Sequence, residues 1–239
     1  MAEPIKRKET IKQVSDTIGL GLLLALSGGL MDAYSYLYRG EVFANAQTGN
    51  MLLFGVNLAQ GKGNEALYYF FPVVAFALGI LSAQGLRHAV RTRHGFHWRQ
   101  AGVLAELLLL AVVAFMPRQI DLLANSLISL ACGFQVEAFR KIQGNSIATT
   151  MCIGNLRSAL HAVSEYHYTG RGEERRKAGT YFLVIASFVV GAILGNAAIV
   201  QWQGKAILCS SVILLICFVL MCLDPEAGRK RERGEDGAA

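Results

Sequence analysis

Phe43-Ala-Asn-Ala-Gln-Thr-Gly-Asn-Met-Leu-Leu-Phe-Gly55 breaks a hydrophobic chain with a polar centre at Thr48, Gly49 and Asn50. A weaker copy, Thr149-Thr-Met-Cys-Ile-Gly-Asn155, lies in the second half. The segments around them, about 44–60 and 147–165, have helical character but are shorter and more polar than the neighbouring runs. Paired polar breaks in such surroundings point to a membrane protein with a paired polar site.

Those surroundings are apolar. Of 239 residues, 53% are hydrophobic and only 17% charged, and the mean hydropathy is +0.38. A soluble domain carries more charge. Six runs can cross a hydrocarbon core of roughly 30 Å at 1.5 Å per residue; they lie near 18–38, 66–86, 101–117, 121–139, 179–200 and 205–223. The first follows Lys6, Arg7, Lys8 and Lys12 but continues past Gly28-Gly29, so it reads as an uncleaved span.

The basic residues decide whether the two polar segments cross. If they do not, 18 Lys and Arg face the cytoplasm against four outside, Arg39, Lys62, Arg118 and Lys205. If both cross, the division falls to 14 against 8. The positive-inside rule therefore selects six spans, with both termini cytoplasmic and two re-entrant or half-depth helices entering from opposite faces.

Sliding the chain by 105 residues aligns Gly28 with Gly133, Ala33 with Ala138, Gly49 with Gly154 and Asn50 with Asn155, and pairs Asp32 with Glu137. The fold class expected is an all-α polytopic membrane protein built as two 3+1 repeats. Three crossings per repeat are odd in number, so the second must be inverted relative to the first. The organisation is then a basic cytoplasmic N-terminus at 1–17, a first repeat at 18–117, a second at 118–223 and a disordered cytoplasmic tail at 224–239.

Asp32 and Glu137 are the carboxylates placed deepest. A charge at such depth costs roughly 2.5 kcal/mol or more, so it faces the interior and has a partner. Asp32 reads either as a cation or proton site or as a cap on a half-helix N-terminus, where unpaired amides favour an anion. Glu137, one turn from Arg140 and Lys141, reads as half of an interfacial ion pair. Asn45, Thr48, Gly49, Asn50, Gly154 and Asn155 are expected to begin the half-helices, with Thr and Asn capping exposed amides and free N–H groups able to hold a small anion or polar solute. Arg157, His161 and Glu165 share one helix face through their spacing of four. That face is either a cytoplasmic gate or an amphipathic surface meeting water and headgroups.

Other chemistry lacks residues. The sequence carries no Walker loop, nucleophile elbow or dinucleotide fingerprint, so it does not read as an enzyme and implies no cofactor. His88, His94 and His97 share a basic loop without acids or cysteines to complete a metal site. The five cysteines have no Cys-x-x-Cys spacing. A net charge of +6 is divided among separate loops, which argues against nucleic acid. Glu106 is expected to reach the interface or pair with Arg99. Gly79, Gly85, Gly191 and Gly195 suit close helix packing, and a homodimer through the helices that carry them is a reasonable assembly.

Gly28-Gly-Leu-Met-Asp32-Ala-Tyr-Ser-Tyr, with Val42-Phe-Ala-Asn-Ala-Gln-Thr-Gly-Asn50 and Leu53-Phe-Gly55, resembles the bacterial YoaK-like family, classed as a domain of unknown function. The resemblance runs from about residue 18 to 222 and implies an integral inner-membrane protein. It supplies no substrate and no site residues. The function expected from the residues is a small secondary transporter or channel for a small polar or ionic solute, with the lipid bilayer as its environment. Asp32, Thr48, Asn50, Asn155 and Arg157 would line its pathway. The alternative is a non-transporting membrane scaffold or regulator acting through its cytoplasmic loops.

Overall fold

The computed structural model describes residues 16–90, 97–142 and 144–223. The basic cluster at Lys6 to Lys12, the loop residues Arg91, Arg93 and His94, and the tail lie outside the described residues. The described chain forms eight α-helices: α1 (Ile18–Tyr38), α2 (Gln47–Ala59), α3 (Gly63–Val90), α4 (Trp98–Val113), α5 (Asp121–Ala138), α6 (Cys152–Thr169), α7 (Gly172–Trp202) and α8 (Leu208–Cys222). Between α5 and α6, β1 (Lys141–Ile142) and β2 (Asn145–Ser146) pair as a minimal antiparallel hairpin.

By length and composition, α1, residues 63–89 of α3 and the stretch Gly172–Cys222, which holds α7 and α8, can cross a membrane. Helices α4 and α8, at 16 and 15 residues, are shorter than the runs that contain them. α4 stops at Val113 ahead of Pro117, and a 3₁₀ turn at Gln203–Ile207 takes the start of the last run. The outer faces of the long helices are bare and apolar, as at Leu81, Ile193 and Val200, which suits lipid rather than water.

Contacts at the two ends fix the direction of each helix. At one end Arg39, the C-cap of α1, is fully buried. Its guanidinium pairs with Asp121 of α5 at 2.7 Å and donates to the carbonyls of Val113 and Met116, each at 2.9 Å, where α4 ends. Tyr68 of α3 donates to the Arg39 carbonyl, and Tyr34 donates to the carbonyl of Gly204 in the α7–α8 turn. At the other end Gln100 of α4 donates to the Met221 carbonyl of α8 at 2.9 Å, and Tyr181 of α7 donates to Ser146. Helices α1, α4 and α7 therefore run toward the Arg39 end, and α3, α5 and α8 run away from it.

Four glycines set the close crossings. An added Cβ on Gly29 would strike the Phe188 carbonyl oxygen, and one on Gly191 would strike that of Leu26, so α1 and α7 touch backbone to backbone. Gly133 against Phe76 and Gly79 against Leu130 do the same for α5 and α3. The two crossings have matching geometry. They place Gly29, not Gly28, opposite Gly133 in the internal comparison, an offset of 104 read from these contacts. At that offset Asp32 falls opposite Val136 instead of Glu137. Gly79, Gly191 and Gly195 are all occupied against neighbouring helices of the same chain, so they are not free to form a dimer contact; only Gly85 of that group has open space beside it.

Candidate functional site

α2 and α6 begin near the middle of the bundle. Gly28 is the central residue of α1. The loop from Glu41 to Ala46 descends to it from the Arg39 end, and the Asn45 side-chain amide donates to the Gly28 carbonyl at 3.0 Å. Gln47 donates to Ser129, midway along α5, at 3.3 Å. From the opposite direction, the hairpin and residues 147–151 climb until the Thr149 carbonyl and Thr150 lie against Gly28, where an added Cβ would stand 3.2 and 3.5 Å from them. α2 then returns to the Arg39 end through a tight turn into α3, and α6 to the Gln100 end into α7. Two segments from different halves of the chain thus flank one residue of α1.

Each is closed by an asparagine. Asn50 accepts from the Phe43 amide at 3.0 Å and donates to the Phe43 carbonyl at 2.7 Å. Asn155 repeats this on Ala148, at 3.1 and 2.6 Å. The sequence analysis assigned Thr and Asn here to helix capping. Neither α2 nor α6 has a side-chain cap; both asparagines reach back seven residues and brace the descending loop. The offset at these clamps is 105, one more than in the glycine crossings, so the stretch between crossing and clamp is one residue longer in the second half.

Asp32 sits one turn beyond Gly28, half-buried, and accepts the Asn45 amide at 2.8 Å. The amides of Ala44 and Ala46 also turn toward its carboxylate. Asp32 therefore anchors the bend that starts α2, joining the partner expected of a deep carboxylate to the capping role. Ser35, on the same stripe of α1, accepts the Ala44 amide at 3.1 Å.

The remaining expected residues divide. Gly49 leaves room for the Phe43 ring, since a Cβ there would lie 2.7 Å from it. Thr48 faces outward, and Gly154 is exposed with open space beside it. Arg157 and His161 lie on the exposed face of α6, away from Gly28, and Glu165 pairs with Arg171 at 3.9 Å. α6 buries Asn155 and its small residues Ala159 and Ala162, so the polar stripe is left on the outside, beside exposed Leu160 and Val163. Glu137 pairs with Arg140 at 3.6 Å, also as expected. Glu106 does not pair with Arg99: it is buried between α4, α5 and α8, and neither oxygen has a hydrogen-bond partner.

Sequence reasoning missed Gln135, Thr149, Thr150 and the Arg39–Asp121 pair. Gln135 is fully buried and donates to the Leu24 carbonyl at 3.2 Å and to Thr149 at 2.9 Å. A glutamine inside an apolar run, two residues before Glu137, is the available signal. Arg39 was counted as a loop charge because nothing local shows that a guanidinium will fold back over Tyr34 and Tyr38.

No solved structure matches the chain. It is 28% identical over 186 residues to the UPF0700 transmembrane protein YoaK of Bacillus subtilis (strain 168), covering 72% of this chain and 79% of that protein. A family described as "Protein of unknown function (DUF1275)" matches residues 20–220, nearly the whole helical bundle, and the chain belongs to that family of membrane proteins.

Proposed function

We propose that this protein is a small secondary transporter or channel for a small polar or ionic solute. The bundle would place six crossing helices, α1, α3, α4, α5, α7 and α8, around two re-entrant helices, α2 and α6, with the second four-helix unit inverted relative to the first. Opposite helix directions at matching glycine crossings support the inversion.

The observation that carries this reading is the meeting of two asparagine-braced segments at Gly28. Non-helical backbone at that depth survives only where protein or a wet cavity surrounds it. A scaffold has no need for such a structure. Three residues packed around the α1 turn from Leu24 to Gly28 carry buried side-chain oxygens, Asn45 Oδ1, Gln135 Oε1 and Thr150 Oγ1, that have no hydrogen-bond partner, although buried polar atoms are ordinarily paired. Such atoms suit a passing ligand better than a purely structural core.

Purified protein in liposomes, screened against small ions and metabolites under imposed ion and proton gradients, tests the proposal. Flux above that of empty liposomes, reduced by Asp32→Asn and Asn45→Ala in folded protein, is the expected result. Absence of protein-dependent flux across the panel, with interactions instead dependent on the charged loops, would favour the scaffold.

A further inference from the structure

We infer that the central site is built for a desolvated monovalent alkali cation; this rests on the transport reading and names its ligand. Five loop amides that could have held an anion are taken. The Phe43 and Ala148 amides are used by the asparagine clamps, the Ala44 amide by Ser35, the Asn45 amide by Asp32, and the Gln47 amide by the Asn45 carbonyl. The Asn45 side-chain amide group points to Gly28, and that of Gln135 to Leu24 and Thr149.

Residues packed around the α1 turn from Leu24 to Gly28 also carry oxygens without a partner. Asn45 Oδ1, Gln135 Oε1 and Thr150 Oγ1 are unpartnered on residues no more than 2% exposed, and the Thr149 carbonyl lies against Gly28. Oxygen dipoles of this kind, from unwound backbone and neutral side chains, replace the hydration shell of an alkali ion.

The surrounding charge has the matching sign. Asp32 and Glu106 both lie within Coulomb reach of Cys132 in the core, whereas the buried guanidinium of Arg39 is paired with Asp121 at the end of the bundle. Of these two, Asp32 accepts the Asn45 amide and so sits at the site, where its one carboxylate balances a single positive charge. Divalent and transition metals call for more: among the described residues there is no group of three His, Cys, Asp or Glu able to hold them.

The test uses the full chain in nanodiscs. Retention of radiolabelled sodium and thermal unfolding are measured in lithium, sodium and potassium chloride against choline chloride at equal ionic strength, then with gluconate replacing chloride. One alkali ion should be retained saturably and stabilise the protein, whichever anion accompanies it. Thr150→Val removes an unpartnered hydroxyl at constant shape, so it should fold normally in choline and bind the ion about tenfold more weakly, the scale of one contact to a charged group. Asp32→Asn should abolish retention. No preference for any alkali ion over choline, a response that follows the anion, or equal binding by Thr150→Val and the parent protein would each overturn the inference. Saturable binding without flux of any solute would retain the cation site and reject transport; solute flux indifferent to alkali ions, with no ion retained, would do the reverse.

Discussion

Asn50 and Asn155 do with one side chain what a strand pair does with backbone: each supplies a donor and an acceptor to the N–H and C=O of a single residue seven positions earlier. Removing the amide leaves both of those backbone groups without their partner. Asn50→Ala and Asn155→Ala should each destabilise the protein by about 1–3 kcal/mol. Asn50→Asp should not rescue, because a carboxylate has no N–H to give the Phe43 carbonyl. Thermal unfolding in detergent distinguishes these outcomes. Glu106 presents the opposite case, a buried carboxyl with no hydrogen bond to lose. Glu106→Leu should raise stability by about 1–3 kcal/mol as an unpaired polar group gives way to packing; a lower unfolding temperature would show that a partner forms in another state.

At the scale of elements, helix crossings are set by missing side chains. Backbones approach closely where Gly29 meets α7 and Gly133 meets α3, and nothing larger fits. Gly29→Ala and Gly133→Ala should cost about 1–3 kcal/mol each through forced displacement. Gly85→Ala, with open space beside it, should be neutral or stabilising by up to ~1 kcal/mol from helix propensity alone. The end of the bundle depends instead on Arg39, which ties the ends of α1 and α4 to the start of α5. Arg39→Ala leaves Asp121 without its short ion pair and two carbonyls without their donor, an expected loss of about 3–5 kcal/mol. Arg39→Lys should recover little, since one ammonium cannot reach Asp121, Tyr34, Val113 and Met116 together. Chemical denaturation of the variants beside the parent protein measures both series.

For the whole molecule, the path of the chain makes a statement about sidedness. Glu41 and Lys62 bracket α2 and are both exposed. In a cysteine-free background, Glu41→Cys and Lys62→Cys should react with an impermeant thiol reagent from the same side of the membrane, and Glu173→Cys, at the start of α7, only from the other. Labelling of Glu41→Cys and Lys62→Cys from opposite sides would show that α2 crosses completely.

The division between chain and fold follows from the range of the interactions involved. Composition and hydropathy run length already demand a helical membrane protein, because continuous apolar runs of about 20 residues match the length of a spanning helix and exceed that of a barrel strand. The polar breaks at 43–50 and 149–155, and the lysine and arginine distribution, were also enough to mark α2 and α6 as different from the other helices. These are local properties. Tertiary structure alone decided that Asn50 and Asn155 brace loops instead of capping helices, that Arg39 is a buried tie, that Arg157 and His161 stay outside, and that Gln135 and residues 149–150 pack against α1 between Leu24 and Gly28. Each depends on contacts between residues far apart along the chain or on which face of a helix is covered, and a sequence specifies those only through the packing of every other helix.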